Sequence, residues 1–186
     1  MARRKQARVL RSRIAFRGPV FRVTSETVAE PVGVIARRDV VRHPGSVVVL
    51  AVDGDARGAR VLLERQYRHA AGGFLWELPA GRIDHGETAL AAARRELLEE
   101  TGYTSRRWKR ALVFYSSPGF LDETMTVYLA QGLEAGRARP EADELISTRL
   151  FPLATALRMA TGGAIRDGKT LAALLWFAHV KDRGRR

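Results

Sequence analysis

Residues 81–103 read GRIDHGETALAAARRELLEETGY, and the architecture turns on this stretch. Residues 88–101 are helical by pattern: Leu90, Ala93, Leu97 and the neighbourhood of Leu98 make an apolar stripe, and Gly102 is a good stop. On that helix Glu96, Glu99 and Glu100 lie three and four residues apart, which sets them on one side of successive turns. Three carboxylates so close repel one another, and stacking them costs stability unless a cation compensates. Arg94 and Arg95 are neighbouring cations. A divalent ion is the stronger remedy, because Mg²⁺ prefers hard carboxylate oxygens and keeps room for water and phosphate. By composition alone the cluster reads equally well as a solvent-facing helix laced with Arg/Glu pairs.

Working outward, residues 74–78 read as a strand after a small-residue loop at 70–73. Residues 46–52 (SVVVLAV) are a buried-strand candidate, 53–55 a turn and 60–66 its pairing strand, together a hairpin. Upstream, 19–24 and 32–41 have loose strand patterns, and His43-Pro44-Gly45 punctuates the chain. Downstream, 108–115 and 124–130 read as strands, 150–158 and 169–181 as helices. No internal repeat is evident. Strands and helices interspersed in this way predict an α/β fold, a mixed sheet with helices on its faces.

The chain has 186 residues, 46% of them hydrophobic, enough for one compact domain with a small extension. It has no cysteine, which excludes disulfides, thiolate zinc sites and a cysteine nucleophile, and fits a reducing cytosol. Residues 1–13 lack the apolar core of a signal peptide, and the longest apolar run, 171–180, is too short to span a bilayer. A soluble cytoplasmic protein is expected. The net charge of +12 invites a nucleic-acid partner, but the two ends supply +9 of it. Basic, solvated tails account for that excess, and no DNA-reading module is evident, so nucleic acid is not the expected partner. The expected division is a basic tail at 1–13, an N-terminal β segment at 14–45, a main domain at 46–182 and a second basic tail at 183–186.

The spacing of Gly81, Glu87, Arg95-Glu96-Leu97, Glu99-Glu100 and Gly102 resembles the Nudix box at each fixed position. Tyr103 stands where a bulky aliphatic residue is usual. The resemblance implies a Nudix α/β/α sandwich with a mixed sheet and a small N-terminal antiparallel β segment. It implies that Glu96, Glu99 and Glu100 are the catalytic metal carboxylates, with the Ala80 carbonyl as a backbone ligand and Mg²⁺, or alternatively Mn²⁺, as the ion. Glu87 and Arg95 would pair to fix the loop against the helix, and Gly81 and Gly102 would permit the turns at its ends.

Other segments resemble the ADP-ribose pyrophosphatase subgroup: residues 65–68 (RQYR), 77–81 (ELPAG), Pro118 sixteen residues after Gly102, and 165–175 (IRDGKTLAALL). Read on their own, Arg65 and Arg68 are surface strand residues and Pro118-Gly119 is a turn. By resemblance Arg68, Glu77, Gly119, Glu123 and Arg65 border the substrate, with Glu123 at the terminal ribose hydroxyls. Trp76 and Phe74 read as core. His43 and His85 have no partners at metal-ligand spacing, although His43 sits where the subgroup borders its pocket. Glu141, Asp143 and Glu144 read as a polar loop after Pro140; by resemblance a loop here supplies the general base, with Glu144 and Glu141 the candidates. Relatives swap an N-terminal β segment between subunits, which implies a homodimer with Phe21 and Arg37 or Arg38 among the adenine contacts.

The leading expectation is therefore magnesium-dependent hydrolysis of ADP-ribose to AMP and ribose 5-phosphate. Alternatives are another nucleoside diphosphate sugar such as ADP-glucose or GDP-mannose, a non-catalytic sensor of ADP-ribose or nucleic acid, and an RNA-end hydrolase whose basic tail grips phosphates.

Overall fold

The computed structural model describes residues 6–54, 58–139 and 145–183, with side chains described to residue 181. The chain divides into two compact units, Met1–Gly45 with Tyr115–Thr124, and Ser46–Phe114 with Met125–Arg186.

The first unit is an antiparallel sheet of β1 (Arg8–Arg17), β2 (Arg22–Ala29) and β3 (Ile35–Arg42), in that order. β1 pairs with β2 along its full length, from Arg8 opposite Ala29 to Arg17 opposite Arg22, with two register shifts. The central strand, RVTSETVA, is rich in β-branched residues suited to a pleated surface. Residues 115–124 join this unit through a bridge between Val41 and Leu121. This corrects the expected tail at 1–13: residues 8–13 are strand, because Arg8, Val9, Arg11, Ser12 and Arg13 find ladder partners in β2. The next two strands also lie later than the patterns at 19–24 and 32–41 suggest.

The second unit is a mixed sheet. Its strands are β4 (Ser46–Asp53), β5 (Arg60–Arg68), β6 (Gly73–Glu77), β7 (Ala80–Arg82), β8 (Tyr103–Tyr115), β9 (Thr124–Ala135) and β10 (Ile146–Pro152). The order is β10-β5-β4-β9-β8, with β6 on β5 and β7 on β4. β4 and β9 run parallel. The helices are α1 (Ala89–Thr101), α2 (Leu153–Thr161) and α3 (Gly168–Arg183). Residues 150–152, expected to start a helix, instead close β10 and pair with 60–62, and α2 begins after Pro152.

β4 reveals the layering. Its residues 46–52 are all buried, so both faces are covered. Val48, Leu50 and Val52 join a core with Val61, Leu63, Ala156, Ile165 and Leu174 from the α2/α3 side. Val47, Val49 and Ala51 join a second core with Ala92, Ala93 and Leu97 of α1. The period-2 alternation of one apolar strand thus separates two helical layers, an α/β/α sandwich. Trp76 packs edge-on against Phe151 at the first core. Phe74, expected as core, is exposed and meets Tyr67, its partner in register across β5 and β6. No helix among the described residues is long and apolar enough to cross a membrane.

Candidate active site

α1 is fixed at both ends. The Thr88 side chain accepts a hydrogen bond from the Ala91 amide, an N-cap. Gly102 closes the helix at φ +74°, where its amide donates to the Leu98 carbonyl. A Cβ on Gly102 would lie 2.5 Å from the Ala138 nitrogen, so residues 136–138 are threaded against the helix end. The Arg139 amide then donates to the Glu99 carbonyl over 2.8 Å.

The helix buries Ala92, Ala93 and Leu97, and on the same side Glu96 and Glu100. Glu100 Oε2 accepts a hydrogen bond from the Ala80 amide at 3.1 Å. Gly81 explains the position of Glu96: a Cβ on residue 81 would stand 1.8 Å from Glu96 Oε1. The missing side chain is the space that the carboxylate occupies. Glu99 is about half exposed at the rim.

Arg95 is the hub of the helix. Its Nε and Nη2 donate to the two carboxylate oxygens of Glu87 at 3.1 and 3.0 Å, and Nη2 also to the Arg82 carbonyl. Nη1 reaches Glu96 Oε1 at 2.8 Å and Glu99 Oε2 at 3.3 Å. Hydrogen bonding to Glu87 raises the Arg95 pKa well above its usual value, and the same contact lowers that of Glu87. Glu87 Oε2 also accepts from the Asp84 amide, so one ion pair ties the loop before α1 to its middle.

A second network lies in the same unit. Arg68 grips Glu77 with two hydrogen bonds of 2.9 Å, and Lys169 reaches Glu77 from α3. Glu77 is only 1% exposed. Burial opposes its charge, but the Arg68 hydrogen bonds and the Lys169 charge outweigh that and lower its pKa. Arg68, despite its own burial, is likewise held protonated by Glu77, with Glu64 and Glu100 within electrostatic reach. Glu77, expected at the substrate, is in this structure a buried counter-charge. Arg65, also expected there, lies over the Phe74 ring at 4.8 Å.

The remaining expected residues belong to the first unit or lie outside the described residues. In the first unit, Glu123 accepts from the Ser116 hydroxyl at 2.9 Å and lies 3.4 Å from His43 Nδ1. Gly119 sits in the turn before Leu121, with open space where a Cβ would be. Arg38 pairs with Glu30 at 2.7 Å and Arg37 with Asp39. Phe21 lines a cavity of about 370 Å³ together with Arg22, Arg42, His43 and Asp122. Glu141 and Glu144 lie outside the described residues.

Sequence reasoning missed Glu64, Asp167, Lys169 and Thr170. Glu64 is fully buried and opposite Glu77 in the β5–β6 register, a pairing visible only once the strands are aligned. The signal for the other three was the helix-opening stretch IRDGKT itself: an acid before the first turn, and polar residues in a segment otherwise apolar.

Among the described residues, no three His, Asp or Glu side chains converge as a ready-made metal cluster; Glu96 and Glu99 both turn to Arg95. The donor set nevertheless fits a hard divalent cation. Two buried carboxylates share a face of α1, the glycine beside them leaves the space one of them fills, and the Ala80 backbone is adjacent.

The Nudix domain family model matches residues 42–174. An ADP-ribose pyrophosphatase from Bacillus subtilis (strain 168) is 35% identical over 161 residues, covering 86% of this chain and 85% of that protein. An ADP-ribose pyrophosphatase from Mycobacterium tuberculosis is 38% identical over 161 residues, covering 85% and 76%. A GDP-mannose pyrophosphatase from Escherichia coli O1:K1 / APEC is 32% identical over 169 residues, covering 80% and 86%. A crystal structure of an ADP compounds hydrolase superposes over 100% of both chains with a TM-score of 0.82 at 21% identity, a likeness of fold.

The chain belongs to the Nudix family. Within it, this is a pyrophosphohydrolase whose relatives include ADP-ribose pyrophosphatases.

Proposed function

We propose that the protein hydrolyses the pyrophosphate bond of ADP-ribose, in a magnesium-dependent reaction that yields AMP and ribose 5-phosphate. The observation that carries this reading is the pair of buried carboxylates, Glu96 and Glu100, on the second half of α1 against Ala80 and Gly81 of β7. Its substrate rests on the ADP-ribose pyrophosphatases that match most of the chain. Glu96, Glu99, Glu100 and the Ala80 carbonyl would hold the divalent ion, which supplies charge neutralisation at the pyrophosphate and an acidified water.

The chain's own residues do the rest. Arg95 and Glu87 keep the loop at 82–88 against the helix, so the carboxylates stay registered with the Ala80 backbone. Hydrolysis forms one P–O bond from water and breaks the bridging P–O bond, and the water's proton passes to a carboxylate, for which Glu144 and Glu141 are the candidates. Arg65 is exposed enough to offer its guanidinium to a phosphate. Glu123 would receive ribose hydroxyls. We assign a homodimer formed through the N-terminal sheet.

The matching GDP-mannose pyrophosphatase supports a second reading, hydrolysis of a different nucleoside diphosphate sugar by the same residues. A panel of ADP-ribose, ADP-glucose, GDP-mannose, NADH, diadenosine polyphosphates, dNTPs and capped RNA, assayed with Mg²⁺ and scored by product, separates them. Preference for ADP-ribose with AMP as product is the expected result. Preference for GDP-mannose establishes the second reading. Binding of ADP-ribose without hydrolysis of any compound identifies a sensor that has lost the chemistry.

A further inference from the structure

Lys169 in the first turn of α3 reaches Glu77, and the rest of that turn is a polar network of its own. Asp167 precedes the helix. Its Oδ2 accepts the Thr170 amide at 3.0 Å, an N-cap, and the Thr170 hydroxyl at 2.6 Å. Its Oδ1 accepts from Lys169 Nζ at 3.0 Å, and the same ammonium reaches Glu77. Because the Thr170 proton is committed to Asp167, the hydroxyl oxygen serves as an acceptor, and it takes the Leu78 amide at 2.8 Å. Thr170 and Leu78 are both fully buried. The result is a directed relay, Leu78 N–H to Thr170 to Asp167, whose members polarise one another.

Its target is the short connection between β6 and β7. The Leu78 amide is held by Thr170, the Pro79 carbonyl accepts from the Val49 amide at 2.8 Å, and the Ala80 amide donates to Glu100. Pro79 fixes its own φ, so the segment from Leu78 to Ala80 has little freedom to absorb a shift. A displacement of Leu78 therefore passes to the Ala80 amide and turns the Glu100 carboxylate.

We infer that Thr170, oriented by Asp167, is a positioning residue for the metal-facing carboxylate Glu100. This inference rests on the metal-dependent reading above. It makes α3, nearly a hundred residues away in sequence from Leu78, a determinant of ion affinity as well as of stability.

The test is Mn²⁺ affinity of the full-length protein, read by electron paramagnetic resonance on wild type, T170V, T170S and E100Q, with kcat and KM alongside. Valine keeps the shape of threonine and removes the hydroxyl, both the acceptor for the Leu78 amide and the donor to Asp167. Thr170→Val should raise the Mn²⁺ Kd by about tenfold or more, the scale seen when a partner behind a metal ligand is lost. It should lower kcat with little change in KM, and Thr170→Ser should return both towards wild type. A lower melting temperature with an unchanged Mn²⁺ Kd would show a purely structural role and overturn the inference alone. If wild type binds no Mn²⁺ and matches E100Q, the metal reading fails and takes this inference with it. Should T170V not fold, Asp167→Asn, which keeps an acceptor oxygen but weakens the relay, must raise the Kd in the same direction; an unchanged Kd there overturns it.

Discussion

At the scale of single residues, Gly81 is the most demanding position, because one added methyl group would collide with Glu96 Oε1. Gly81→Ala should therefore cut turnover by orders of magnitude, as should Glu96→Gln and Glu100→Gln, with circular dichroism of all three like wild type. Activity retained in both glutamine variants would remove these carboxylates from the reaction. These residues were legible in the sequence because they sit on one helix and its flanking turns, where spacing alone fixes neighbourhood. Lys169 and Glu77 were not, since they meet across 92 positions and only packing brings them together. Glu77 shows that gap: resemblance places it at the substrate, and in the structure it is the buried counter-charge of two cations.

At the scale of elements, the buried network joins β5, β6 and α3, so breaking it should loosen the sheet from the helix. Glu77→Gln leaves Lys169 and Arg68 short of a counter-charge and should destabilise by about 3–5 kcal/mol. In a chain of this size that lowers the melting temperature by about 10 °C, readable by calorimetry. The pH dependence has a definite sign. The folded state holds the Glu77 pKa below its ordinary value, so its contribution to stability is complete above about pH 4.5 and is lost as pH falls through the lowered value. Glu77→Gln should remove that part of the acid sensitivity. Most elements announced themselves by periodicity, the all-apolar β4 and the capped α1 above all. The misread ones differ in cause: β1 is an arginine-rich strand that looks like a tail until β2 supplies its ladder, and β10 runs into α2 without a glycine or polar break.

At the scale of the whole molecule, all ten residues of β1 are exposed, including Val9, Leu10, Ile14 and Phe16. An edge strand of that length and apolar content invites pairing, and a second copy of the chain is the partner proposed here. Ile14→Glu with Phe16→Asp should convert the dimer to a monomer in sedimentation velocity while leaving the second unit folded. A wild-type monomer at micromolar concentration would refute the assignment. The junction at Gly102 bears on how such an enzyme changes over time. Residues 136–138 pass against the end of α1, and the Arg139 amide is tied to the Glu99 carbonyl. Length changes in the chain leading up to this fixed point would drag on the helix end that it holds. Glu141 and Glu144, the candidate general bases, follow this tie in sequence. A lineage could re-space them for a new leaving group and inherit the box unchanged.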